Sequence, residues 1–192
     1  MTKYILHGGE TKIPNEHNKA FYQSWVKDFD PDFVPTVLLV YFARPIDEWS
    51  KLEIQDKEKF ANYTNSREVK FVVAESDLNI FREQIKTADV VYVRGGSSEA
   101  VIELFTPLKN ELASLLDGKI FVGSSAGVMI MCHNTCSDNN YWRTGLGLIP
   151  LNSFVHWNPK LQDQLDTFKK EHNDNNFEWL LIPETEFIIR SY

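Results

Sequence analysis

The feature that most constrains this chain is an alternation of short, β-branched apolar runs with longer segments of helical spacing. The runs are Tyr4-Ile5-Leu6, Val37 to Phe42, Lys70 to Val73, Val90 to Val93 and Ile120 to Val122. They are apolar at successive positions rather than alternate ones, as in parallel strands covered on both faces. Between them, Asn18 to Val26, Trp49 to Tyr63, Leu78 to Thr87 and Val101 to Leu116 place apolar residues at helical intervals. Parallel neighbours need a crossover, so the alternation predicts an α/β fold: a doubly wound, mainly parallel sheet with helices on both faces. No repeat, low-complexity tract or Pro/Gly-rich linker divides the chain, and residues 1–192 read as a single α/β domain.

Composition narrows the function. The chain is 43% hydrophobic, enough at 192 residues to build a core without a disulfide or metal staple. Its 20 Lys and Arg face 27 Asp and Glu, a formal charge of −7 without a basic cluster, which argues against a nucleic-acid partner. Met1 to Leu6 is too short for a signal peptide, and no apolar run approaches the ~18 residues of a membrane span. A cytoplasmic location is therefore expected, with no membrane partner. Cys132 and Cys136 beside His133 offer too few ligands for a closed zinc site and read as reduced thiols one helical turn apart. No metal is expected, and no cofactor, because neither G-x-G-x-x-G nor a P-loop occurs.

After Gly127 the alternation weakens. Ser137 to Arg143 reads as a polar turn, Leu146 to Leu151 as a connection, Phe154-Val155-His156 as a short strand and Lys160 to Glu171 as a helix. Trp179 to Ile182 reads as one more strand, followed by Pro183-Glu184 and an alternating segment, Thr185 to Tyr192. That last segment either pairs with an earlier strand or belongs to a longer chain.

Three of the runs end in glycine: His7-Gly8-Gly9, Arg94-Gly95-Gly96 and Gly123-Ser124-Ser125-Ala126-Gly127. Ligands of open α/β sheets bind outside the carboxyl ends of the strands, so the site is expected there. The third segment fits G-x-S-x-G between a strand and a possible helix, Val128 to Cys132, the setting of a nucleophile elbow at Ser125. A serine hydroxyl needs a base. Of five histidines, His7 could line the site at a strand end and His17 lies in a polar stretch. His133 follows the elbow on the expected helix, pointing away, and His172 lies in the charged run Lys169 to Asp174, read as a solvated face. His156, between Phe154 and a loop, suits the role best. An acidic orienter for it is expected at Glu184, across Pro183 from a strand end, with Asp138 as the alternative. The order Ser, His, Glu differs from that of the α/β-hydrolases and argues against that fold.

At these residues the sequence resembles the aspartyl dipeptidase (dipeptidase E) family of serine peptidases, related to cyanophycinase and built on the class I glutamine amidotransferase-like fold. The resemblance rests on Val37 to Phe42 with Trp49, Val91 to Ser97, Ile120 to Gly127, and Phe154 to Trp157 with Leu181 to Glu184. It implies Ser125 as nucleophile, His156 as general base and Glu184 as its orienter, with an oxyanion hole from the N–H groups of Gly96 and Ala126. It also implies a small peptide as substrate; a homodimer is left open.

The chain departs from the family at the substrate end. Arg94-Gly95-Gly96-Ser97-Ser98 replaces a glycine-rich turn ending in Asn-Thr, which puts Arg94 and Ser97 on the rim. The family's arginine after the histidine is absent from Pro159 to Thr167, where only Lys160 is basic. Lysine is not an equivalent carboxylate partner, so Arg94, Arg143 and Lys160 are the candidates for that task. A catalytically silent binding or regulatory domain on the same fold is the competing reading. A glutamine amidotransferase would carry cysteine where Ser125 stands.

Overall fold

The computed structural model describes residues 1–139, 141–172 and 177–192, the side chains of Tyr141 and His172 excepted. Of the charged run Lys169 to Asp174, Lys169 is half-buried and Lys170 and Glu171 are exposed on the last turn of the helix Gln162–His172, while the His172 side chain and residues 173–174 lie outside the described residues. The first half alternates as expected: β1 (Lys3–His7), α1 (Glu16–Ser24), β2 (Thr36–Val40), α2 (Trp49–Tyr63), β3 (Lys70–Val73), α3 (Leu78–Thr87) and β4 (Val90–Val93). Asn15, Asp77 and Ser97 cap α1, α3 and α4 (Ser98–Phe105) by accepting backbone N–H bonds. The expected helix Val101 to Leu116 is two helices, α4 and α5 (Lys109–Leu116), parted by a 3-10 turn at Thr106–Leu108. Pro107 is the cause, since its ring excludes the N–H that a continuous helix needs.

β5 (Ile120–Ser124) leads to α6 (Ala126–Met129), followed by β6 (Asn134–Ser137), β7 (Tyr141–Thr144), β8 (Leu151–Trp157), α7 (Gln162–His172), β9 (Glu178–Pro183) and β10 (Phe187–Ser191). Among the described residues the strands form two sheets, β10-β1-β5-β4-β2-β3 and β7-β6-β8-β9. The first is parallel except for β10, which runs antiparallel to β1, so the terminal segment does pair with an earlier strand. The second sheet is the main departure from expectation. The polar stretch read as a turn is the β6–β7 hairpin, and β8 pairs with β6 and β9.

Strand side chains alternate between two apolar layers. Leu6, Leu38, Val91, Val93 and Phe121 pack against α3, α4 and α5 through Phe81, Phe105 and Leu112. Ile5, Leu39, Tyr92 and Val122 pack against α1 and α2 through Phe21 and Phe60. This is the doubly wound arrangement. The first layer also takes in Leu151, Val155 and Ile182, so the second sheet packs on it. The other face of that sheet is covered by Leu165 and Phe168 of α7. No helix among the described residues is long and apolar enough to cross a membrane.

Cys132 and Cys136 do not share a helix. α6 stops at Met129, leaving Cys132 in the following turn and Cys136 on β6, both buried. Burial pushes the Cys132 thiol up to about 12, so it is protonated and inert as a nucleophile.

Candidate active site

The carboxyl ends of β1, β4 and β5 converge, and the second sheet delivers two further residues onto them. At the end of β5, Ser125 adopts φ 48°, ψ −105°, a strained conformation for a residue with a Cβ. Its N–H donates to His7 O at 2.9 Å, and its carbonyl accepts from Val128 and Met129 N–H. A side chain at Gly127 would come within 2.3 Å of Val93 O, so the elbow closes only with glycine there. α6 has four residues, too short for a substantial macrodipole; any anion stabilisation at Ser125 comes from individual N–H groups.

His156 reaches the serine through a β-bulge. Val155 pairs with Ile182 and Trp157 with Pro183, leaving His156 unpaired at φ 55°. The bulge turns its ring toward β1. Its Nε2 lies 2.9 Å from Ser125 Oγ, and its Nδ1 lies 3.2 Å from Glu184 Oε1. Glu184 is at the end of β9, in the short connection to β10, and its side chain is 50% exposed, so water screens its charge. Asp138 lies on the β6–β7 turn, exposed in the cleft, while Glu184 makes the contact to His156 Nδ1.

The turn Gly8-Gly9 seats this histidine. Gly8 O accepts from His156 N–H at 3.1 Å and Gly9 O from Thr185 N–H at 2.9 Å, which ties the ends of β8 and β9 to the end of β1. Gly9 has φ +137°, and a Cβ on it would lie 2.2 Å from His156 Cε1. Beneath the turn, His7 is fully buried: Nδ1 accepts from Gly9 N–H, and Nε2 donates to Asn18 Oδ1 at 2.8 Å. Burial lowers its pKa to about 4, so it is neutral and supports the turn. His17 pairs with Glu186, and His133 packs against Phe177.

Two adjoining cavities of about 260 and 320 Å³ share Gly96, Ser125 and His156 in their walls. The first is lined by Glu10, Lys12, Arg44 and Arg94, the second by Ser97, Ser98, Glu99 and Asp138. Arg94 reaches the first cavity with a guanidinium already paired, at 2.5 Å, to Asp56 of α2, which is fully buried. Burial raises the Asp56 carboxyl, and the charge of Arg94 opposes that rise. Ser97 spends its hydroxyl on capping α4 at the edge of the second cavity. Arg143 pairs with Glu99, and neither Arg143 nor Lys160 lines either cavity. The N–H groups of Gly96 and Ala126, among the described residues, donate to no backbone carbonyl.

Sequence reasoning missed Arg44, Lys12 and Glu10. Arg44 follows β2, and Glu10 and Lys12 follow β1, so the rule that ligands bind beyond strand carboxyl ends would have found them.

A doubly wound sheet that presents an elbow serine against a histidine defines a class, the serine-type hydrolases. The family model for peptidase family S51 matches residues 5–190, and the chain belongs to that family of serine-type peptidases. Solved structures share the fold. The crystal structure of a peptidase from an acI-B1 Actinobacterium superposes with a TM-score of 0.68 at 21% identity, covering 98% of this chain and 83% of that one. A protein of Listeria monocytogenes EGD-e, provisionally assigned as a peptidase E, superposes with a TM-score of 0.60 at 14% identity, covering 100% of this chain and 99% of that one. No curated protein matches the sequence.

Proposed function

We propose that the chain hydrolyses small peptides, of the dipeptide class, through a Ser125–His156–Glu184 triad and an acyl-enzyme. The observation that carries this reading is the continuous relay from Ser125 Oγ to His156 Nε2 at 2.9 Å and from His156 Nδ1 to Glu184 Oε1 at 3.2 Å. His156 takes the hydroxyl proton on Nε2 as Oγ bonds to the scissile carbonyl carbon. Glu184 holds the Nδ1–H tautomer and stabilises the imidazolium. The carbonyl oxygen becomes an oxyanion facing the N–H groups of Gly96 and Ala126, each such donor contributing about 3 kcal/mol. Collapse breaks the C–N bond, and His156 passes its proton to the departing amine. Water then attacks the ester with His156 again as base, and Ser125 is released as the free hydroxyl.

The cavities flanking Ser125, about 260 and 320 Å³, lie just below and at the bottom of the roughly 300–1,000 Å³ of ligand sites, which supports a small substrate. The basic groups beside the nucleophile are Lys12, Arg44 and the paired Arg94, none of them following the histidine in sequence. An amino-terminal aspartate preference therefore has no support from Lys160. The test is amino-acid release from a panel of free and N-acetylated dipeptides, with Ser125→Ala as control. Release from free dipeptides, abolished in the variant, is the expected result. A protein that cleaves no peptide of any length is the silent binding domain instead.

A further inference from the structure

Gly95 O and Gly96 N–H are opposite ends of one peptide group, and in a trans peptide they point in opposite directions. The chain contains no cis peptide among its described residues. Whatever holds Gly95 O therefore sets the direction of Gly96 N–H. Arg44 holds it: Nε–H donates to Gly95 O at 2.7 Å, a short, charge-assisted bond. The contact is anchored on both sides. Ser97 N–H donates to Ala43 O at 2.9 Å, Arg44 N–H to Tyr41 O at 2.8 Å, and Trp49 Nε1–H to Arg44 O at 3.1 Å. Gly96, at φ +154°, packs so closely here that a Cβ would lie 2.2 Å from Ala43 O and 2.9 Å from Arg44 Nε. The same turn abuts the nucleophile, since a Cβ on Gly95 would lie 3.1 Å from Ser125 Cβ.

The geometry points to Arg44 as a positioning residue for the oxyanion hole, fixing the Gly95–Gly96 peptide so that Gly96 N–H faces the developing oxyanion. The inference rests on the triad reading proposed above. A cation on the carbonyl end also draws electron density through the conjugated peptide and makes the N–H a stronger donor. Arg44 acts through the peptide and touches no reacting atom, so its effect belongs to the chemical step rather than to binding.

Two substitutions separate the donor from the bulk of the side chain. Arg44→Met puts a methyl where Nε stood, and Arg44→Gln puts a neutral N–H there. The probe is an uncharged alkyl fluorophosphonate. In its reaction an Oγ–P bond forms, the P–F bond breaks with loss of fluoride, His156 takes the serine proton, and the phosphoryl oxygen occupies the oxyanion position. In Arg44→Met the maximal inactivation rate is expected to fall about tenfold to a hundredfold, short of the roughly 10²–10³ for deleting a donor outright. The half-saturating probe concentration should stay within about threefold of wild type. Arg44→Gln should recover several-fold of the lost rate. An unchanged rate in Arg44→Met, a defect confined to the half-saturating concentration, or an Arg44→Gln protein as slow as Arg44→Met overturns the positioning role and leaves the triad standing. A wild-type protein that forms no adduct overturns both.

Discussion

Gly9→Ala perturbs the site without altering Ser125, His156 or Glu184, the residues of the proposed triad. The added Cβ would lie 2.2 Å from His156 Cε1 and 2.7 Å from Nδ1. Carbon atoms in contact stand at about 3.5 Å or more, so the ring must retreat by roughly 1.3 Å, or the turn must. A displacement near 1 Å in a catalytic group costs about 10² in rate. The φ of +137° adds about 1–3 kcal/mol of strain, lowering Tm by about 2–4 °C for each kcal/mol in a chain of this size. Gly118→Ala is the control, since Gly118 also has positive φ, +74°, but no atom of the described residues lies within 4 Å of its Cβ. The assay is fluorophosphonate inactivation beside thermal melts. Gly9→Ala should lose both stability and about two orders of magnitude in rate, and Gly118→Ala stability alone. A folded Gly9→Ala protein that reacts at the wild-type rate would refute the claim that this turn seats His156.

Other outcomes follow from the same geometry. Ser125→Gly should melt about 2–4 °C above Ser125→Ala, because glycine relieves the strained φ of 48° and alanine keeps it; equal melting temperatures would remove the strain argument. Glu184→Gln should lower kcat about tenfold to a hundredfold, at or below the low end for acid–base groups because the carboxylate is half-exposed, and a kcat titration would show it; an unchanged kcat would pass the orienting role to another group. His7 is held neutral with a pKa of about 4, whereas the unfolded chain protonates it near 6.5. Its contribution is complete above about pH 6.5 and is lost as pH falls toward 4, about 3 kcal/mol in all, because the unfolded state binds the proton first. Urea unfolding across that range should show the loss, and His7→Gln should flatten it.

The parallel strands were legible because burial on both faces leaves continuous apolar runs, and α2 and α3 carry their stripes in full. The elbow was legible because its small residues are dictated by contact distances. The second sheet was not: β6 is Asn134-Thr135-Cys136-Ser137, a polar run made into a strand by pairing with β7 and β8 rather than by its own propensity. The break between α4 and α5 is marked in the sequence by Pro107, a signal that apolar spacing alone does not carry. Asp56, one helical turn from both Leu52 and Phe60 on the buried stripe of α2, signalled a buried partner that only the fold reveals as Arg94. The bulge at His156 left no mark in sequence, yet it aims the ring.

Every step proposed for this site requires Ser125 to be an activated nucleophile. Intact mass after incubation with a fluorophosphonate, run beside Ser125→Ala and His156→Ala, measures that directly. One adduct on the wild type, absent in Ser125→Ala and at least about a hundredfold slower in His156→Ala, is the expected result. A folded wild-type protein that carries no adduct, or one labelled equally in Ser125→Ala, would contradict it.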